Sequence, residues 1–278
     1  MRLFGMNKQG AFMDKTRKAL IELREMDELS ARSSPIHALS PLAKLLAAVS
    51  YIAVVMSFDK YALSALAVFV LYPILLFQLS GIPVRTCFYK LRIVLPLVLA
   101  VGLFNPLFDR APVLTLGTVA VSGGVLSMLT LMLKGTLCLM VSFLLMATTP
   151  VDALCAALRK LHIPSMLVTL FLLTYRYIGV MTAQVQIMTE AYHLRAPGQK
   201  GIHHSAWGSF LGQLLLRSMD RAEELYSSML LRGFSGEFPY ARASVRAQDL
   251  WYPALCTAVF MLLRVYDVPS LIGSLFVR

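Results

Sequence analysis

Two arginines stand at places where a cation can do chemistry. Leu194-Arg195-Ala196 and Leu231-Arg232-Gly233 each close a long amphipathic stretch, the first followed by Pro197-Gly198 and the second by Phe234. A helix C-terminus exposes unpaired carbonyls and a partial negative charge, so a cation there gains about 0.3–1 kcal/mol. A guanidinium is always charged, and its fork pairs bidentately with carboxylates, which suits docking into an acidic groove. Spacing alone leaves both readings open, simple capping and docking on a partner.

Other chemistry is missing from the chain. No G-x-x-x-x-G-K-[ST] loop is present to cradle nucleotide phosphates, and no H-E-x-x-H or Cys and His cluster offers a metal site. Adjacent helical residues point about 100° apart, so His203-His204 reads as interfacial rather than chelating. Cys87, Cys138, Cys155 and Cys256 have no C-x-x-C spacing and read as small buried hydrophobes. No catalytic residue, metal ligand or cofactor of its own is expected. Lys134, inside an apolar segment, is either a functional intramembrane cation or an ammonium that snorkels outward from a span starting near it; the second reading is favoured.

The elements that must position the arginines follow from composition. The 278 residues are 58% hydrophobic and only 15% charged, with a mean hydropathy of +0.68. Soluble domains carry about 25% charged residues, so this chain cannot cover a water-facing surface. Segments 43–58, 61–80, 93–108 and 124–148 are apolar enough, and most are long enough, to be spans of roughly 17–25 residues. Segment 250–276 is a weaker fifth, interrupted by Arg264 and Asp267. The fold class is therefore an all-α polytopic membrane protein.

The net charge of +11 reads as a cytoplasmic excess of Lys and Arg rather than as a nucleic-acid surface. Residues 13–32 form an expected charged amphipathic helix, and no cleaved signal peptide is expected in the first 35 residues. Arg85, Lys90 and Arg92 lack acidic compensation, whereas Ser57–Lys60 and Asp109-Arg110 are neutral. That alternation places the N-terminus and loop 81–92 inside a multi-pass cell-membrane protein. Loop 109–123, with Pro112, Gly117 and Gly123, is expected to turn before the fourth span.

Charge also assigns the next region. Were 165–189 a normal span, the basic stretch from His193 to Arg246 would lie outside, and the run Met166–Leu173 is interrupted by Thr174-Tyr175-Arg176-Tyr177. Segments 151–161, 165–195 and 204–232 are therefore expected as helices in or below the cytoplasmic face. In the third, Leu211, Leu215, Met219, Ala222, Tyr226 and Met229 recur at helical spacing, opposite Arg217, Arg221, Glu224 and Ser228. That stripe reads chiefly as a surface helix packed on its neighbours. The expected organisation is a cytoplasmic segment 1–41, a four-span region 42–149, a coupling domain 150–240 and a C-terminal transmembrane segment 241–278.

Three runs carry a resemblance. Arg217-Ser-Met-Asp-Arg-Ala-Glu-Glu-Leu-Tyr-Ser-Ser-Met-Leu-Leu-Arg-Gly-Phe-Ser-Gly236 resembles the signature of T components in energy-coupling factor (ECF) transporters. So do Ala147-Thr-Thr-Pro-Val-Asp-Ala-Leu-Cys-Ala-Ala-Leu-Arg-Lys-Leu-His-Ile-Pro164, followed by Tyr175-Arg-Tyr-Ile178, and Ser34-Pro-Ile-His-Ala-Leu-Ser-Pro-Leu-Ala-Lys-Leu-Leu46. The resemblance implies a non-catalytic membrane scaffold joining two ABC-type ATPases, which bind the ATP, to a small substrate-binding membrane subunit. It makes Arg195 and Arg232 docking residues, flanked by Leu194, Ala196, Leu231 and Gly233. Arg176, Arg221 and Glu223 then form either a network between helices or ordinary interfacial charges. The family often has Ala-Arg-Gly at the first tip and Asp-Pro-Arg-x-Lys before the first span, whereas this chain has Leu194-Arg195-Ala196 and Ser40-Pro41-Leu42-Ala43-Lys44. Residues 34–46 and Asn105-Pro-Leu-Phe-Asp109 look most like the cobalt-type branch, often called CbiQ, with nickel or a vitamin as alternative cargo. A secondary transporter would need buried acidic residues or inverted repeats, a membrane enzyme would need a catalytic cluster, and neither is evident. A scaffold without transport is the other alternative.

Overall fold

The computed structural model describes residues 21–22, 25–32, 34–92, 94–103, 112–116, 119–197, 201–236 and 247–265. Two compact units emerge. One joins 29–150 to 243–278; the other joins 1–28 to 151–242.

In the first unit, α1 (Pro41–Met56) starts where the sequence demands it. The Ser40 hydroxyl accepts from the Ala43 amide at 3.2 Å, and Pro41 fills the first turn, where its missing N–H costs nothing. Ahead of it, the His37 ring pins the 29–37 segment: Nε2 donates to the Leu29 carbonyl at 3.1 Å, so Nδ1 accepts from the Ser34 hydroxyl at 2.6 Å.

The apolar run 61–80 is not one unbroken helix. It divides at Val70 into α2 (Leu63–Phe69) and α3 (Leu71–Ser80). Pro73 explains the break, because it has no amide to offer the carbonyl four residues back, that of Phe69. The buried Tyr51 hydroxyl donates to that carbonyl instead, at 2.8 Å. Tyr51 also stacks on Tyr72 (4.9 Å between centroids) and meets Phe260 edge-on at 5.3 Å. These rings tie α1 and α3 to α10 (Ala247–Val265).

α4 (Val84–Leu91) and α5 (Leu95–Leu103) follow, then α6 (Gly123–Thr148). α5 and α6 approach closely at glycines: a Cβ on Gly135 would lie 3.0 Å from Val98 Cγ1, and one on Gly102 would lie 3.1 Å from Met128 Cγ. Between α5 and α6, the region expected to turn before the fourth span holds two short strands. Strands β1 (Pro112–Leu116) and β2 (Val119–Ser122) pair antiparallel, a small ribbon favoured by Val113, Thr115, Val119 and Val121.

Segments α2–α3 (18 residues) and α6 (26 residues) are long and apolar enough to cross a membrane, while α1 and Leu250–Val265 are apolar but shorter. Residues 13–20, 104–108 and 266–276 of the expected helices lie outside the described residues.

In the second unit, α7 (Val151–Lys160) has Asp152 in its first turn and Arg159 and Lys160 in its last, which complements the helix dipole. It packs through Val151 and Cys155 on Val168 of α8 (Ser165–Arg195). The interruption expected at Thr174-Tyr175-Arg176-Tyr177 does not divide this helix, which by length and composition alone could cross a membrane. α8 is continuous for 31 residues, and its best window has a mean hydropathy of 1.5. Thr174 does not break it, because its hydroxyl bonds back to the Leu170 carbonyl at 2.7 Å. α9 (His204–Leu231) starts at His203, whose Nδ1 accepts from the Ser205 amide at 3.3 Å.

Candidate functional site

The second unit holds two helices that end in the same chemistry. α8 is about 46 Å long and α9 about 42 Å, at 1.5 Å per residue. α8 ends with Leu194 and Arg195 in its last turn, and α9 ends at Leu231 with Arg232 as the capping residue. Leu194 is 84% exposed and Leu231 90%, and Arg195 and Arg232 are exposed beside them. Among the described residues neither guanidinium has a hydrogen-bond or salt-bridge partner.

Backbone geometry separates capping from the side chains at the second tip. The Phe234 amide donates to the Met229 carbonyl at 3.0 Å and the Gly233 amide to the Leu230 carbonyl at 2.9 Å. Gly233 has φ +80°, a conformation that a Cβ would strain. This is the two-bond termination in which a left-handed glycine closes the helix. The last turn thus satisfies those two carbonyls through its own amides, and the Arg232 side chain is left for another task.

The first tip is built differently. The Ala196 amide donates to the Tyr192 carbonyl at 3.0 Å, and Ala196 lies at φ −125°, ψ 67° before Pro197. The His203 amide donates to the Tyr192 hydroxyl at 3.2 Å, which ties the start of α9 to the end of α8. His193 Nδ1 is buried without a partner among the described residues.

The remaining charged candidates do not converge. Arg221 pairs with Glu224 at 3.1 Å, one helical turn on, with both side chains more than half exposed. Such surface pairs contribute little. Arg176 and Glu223 are exposed.

The expected packing of the α9 stripe is also corrected. Leu211, Leu215, Met219 and Tyr226 are each more than half exposed, and the exposed face of α8 adds Met166, Leu167, Leu170 and Ile187. Two long helices thus end in basic tips and leave apolar faces uncovered by the rest of the chain, open to lipid or to partner subunits.

Sequence reasoning singled out Lys134 but missed the bonds that it, Lys44 and Arg264 make in the first unit. Lys44 donates to the Thr148 carbonyl at the end of α6 at 2.7 Å. Lys134 of α6 in turn donates to the Phe58 carbonyl, just past the end of α1. Each lysine lies fourteen residues from the carbonyl its partner helix borrows, so the antiparallel pair is fastened at both ends. Arg264 adds a bond to the Ser57 carbonyl at 2.8 Å and lies 4.4 Å from the Phe58 ring centroid. The expectation that Lys134 snorkels outward is corrected: it is 9% exposed and caps a neighbouring helix.

Among the described residues no three His, Cys, Asp or Glu side chains group as metal ligands. Burial pushes the Cys87 thiol up to about 11, and burial with the nearby Asp152 raises that of Cys155. Both are inert at neutral pH.

A family model described as cobalt transport protein (CbiQ) matches residues 32–243. The chain is 26% identical over 148 residues to an uncharacterized protein of Methanocaldococcus jannaschii, covering 52% of this chain and 50% of that one. It is 32% identical over 116 residues to the nickel permease LarQ of Lactiplantibacillus plantarum, 41% of each chain. To the cobalt transport protein CbiQ of Rhodobacter capsulatus it is 31% identical over 96 residues, 34% of this chain and 38% of that protein. The chain thus spans half or less of the curated relatives it matches. The family model itself runs from before α1 to beyond the second arginine tip, and on that extent this chain belongs to the CbiQ cobalt transport protein family.

Proposed function

We propose that this chain is the membrane T component of an ECF-type importer, a scaffold that couples two ABC-type ATPases to a small substrate-binding membrane subunit. The observation that carries the reading is the pair of uncovered Leu-Arg tips, Leu194-Arg195 and Leu231-Arg232, at the ends of two long helices. Each tip offers a guanidinium for an acidic groove and a leucine for an adjacent apolar wall; Ala196 and Gly233 keep the backbone beyond it slim. The uncovered faces of α8 and α9 are the surface for the substrate-binding subunit. The ATPases bind ATP, and this chain contributes no catalytic group.

Both tips must reach the same cytoplasmic side for this arrangement. α8 therefore lies along the interface, consistent with the basic stretch from His193 to Arg246. The N-terminus is then cytoplasmic as well. Closing of the nucleotide-bound ATPases moves the tips, and the helices carry that motion to the substrate-binding subunit.

Cobalt is the proposed cargo, selected by the partner subunit. A second reading, nickel, is favoured by the similarity to the nickel permease.

Mild-detergent pull-down of the tagged chain from its native membrane tests the assembly. Recovery of two ABC ATPases with a small membrane protein that retains cobalt supports the reading, and retention of nickel moves the cargo. Arg195→Glu and Arg232→Glu should each reduce ATPase recovery and uptake without unfolding the chain. Normal recovery and uptake in both variants would sink the docking assignment.

A further inference from the structure

The short helix α4 carries a surface that the transport reading leaves unused. Gly81, at φ +66°, ends α3 and turns the chain, and Pro83 leads into α4. Cys87 and Leu91 point inward, buried at 0% and 5%. The outward side is unusual for so short a segment. Arg85, Phe88, Tyr89 and Arg92 fall at i, i+3, i+4 and i+7, which places them on one helical face. Arg92 extends the helix by one residue in conformation, its amide donating to the Phe88 carbonyl at 2.9 Å.

All four side chains are exposed, Tyr89 at 72% and Phe88 at 47%. Among the described residues neither guanidinium has a hydrogen-bond or salt-bridge partner. No Asp or Glu occurs anywhere from Tyr61 to Phe108, so no acidic residue of this stretch offsets the two guanidinium charges. The helix is bracketed by α3, which ends at Ser80, and α5, which starts at Leu95, both strongly apolar. Apolar helices on either side, a few residues away, are suited to holding α4 at a bilayer surface.

We propose that Arg85, Phe88, Tyr89 and Arg92 form an anchor for anionic phospholipid headgroups. The two rings sit at the boundary between headgroup and acyl chain, where aromatic side chains concentrate. The flanking guanidinium groups pair with lipid phosphates, for which their planar fork is suited. Basic residues beside apolar ones on a helix lying in the interface are the general pattern of such contacts. Charge complementarity favours lipid over a protein partner, because the required counter-charge is supplied continuously by an anionic leaflet. The anchor is independent of the ATPase tips and of the cargo.

Native mass spectrometry of the full chain in mild detergent, titrated with phosphatidylglycerol or phosphatidylcholine, tests this. The parent should retain phosphatidylglycerol preferentially, and Arg85→Gln with Arg92→Gln should cut that preference roughly 30-fold, the effect of two surface cations near an anionic lipid. Arg85→Lys with Arg92→Lys keeps most of it. Phe88→Ala with Tyr89→Ala lowers retention of both lipids alike. Added salt should erode the parent's preference, a measurement that stands even if a variant fails to fold. Equal retention of the two lipids by the parent, or an unchanged preference in the double Gln variant, overturns the proposal. Loss of a co-purifying protein from that variant with lipid preference intact overturns it too and gives the face to that protein.

Discussion

Truncating Leu231 to alanine removes three carbons from a side chain that the rest of the chain leaves 90% exposed. In the isolated protein the change touches almost nothing, so thermal unfolding should be unaltered. If the tip seats in an ATPase groove, those carbons become buried, at about 0.8 kcal/mol per methylene equivalent. Scaled by the exposed fraction, the loss is about 2 kcal/mol, or roughly 30-fold in the dissociation constant. Leu194→Ala should behave similarly at the first tip. The assay is ATPase binding to the immobilised full chain in detergent, with melting temperature as the folding control. Binding within twofold of the parent for both leucine variants, while Arg232→Glu still abolishes it, would refute the apolar half of the docking argument. Unaltered binding in all of these variants would remove the tips from the interface altogether.

Other expectations follow from the packing. Tyr51→Phe strips the donor from the Phe69 carbonyl and should destabilise the chain by about 1–3 kcal/mol in detergent unfolding. Pro73→Ala in that background returns an amide and should recover part of the loss; no recovery would mean the carbonyl is not the cause. Gly135→Val forces a branched side chain against Val98, whose Cγ1 would lie 3.0 Å from even a bare Cβ at that position. It should cost about 1–3 kcal/mol, read as a lower melting temperature. Cys87, buried and with its thiol pushed up to about 11, should resist alkylation in the folded protein at pH 7. Because the raised value leaves little thiolate below it, labelling should grow only as pH rises toward 11, and rapid labelling at neutral pH would contradict the burial.

Local sequence determined the helices and the class. Hydropathy, caps and proline placement were enough to expect 124–148, 151–161, 165–195 and 204–232, and the structure has helices at 123–148, 151–160, 165–195 and 204–231. Residues 194–195 and 231–232 were legible as helix ends for the same reason: termination is written in the few residues around it. Tertiary structure decided what depends on distant neighbours. The Phe69 carbonyl that Pro73 leaves free finds its donor in Tyr51, eighteen residues away, and Lys134 needs a helix end 76 residues away. Exposure of Leu194, Leu231 and the α9 stripe could not be read from periodicity. An apolar face repeats in the same way whether or not anything covers it, and coverage is a property of the whole fold.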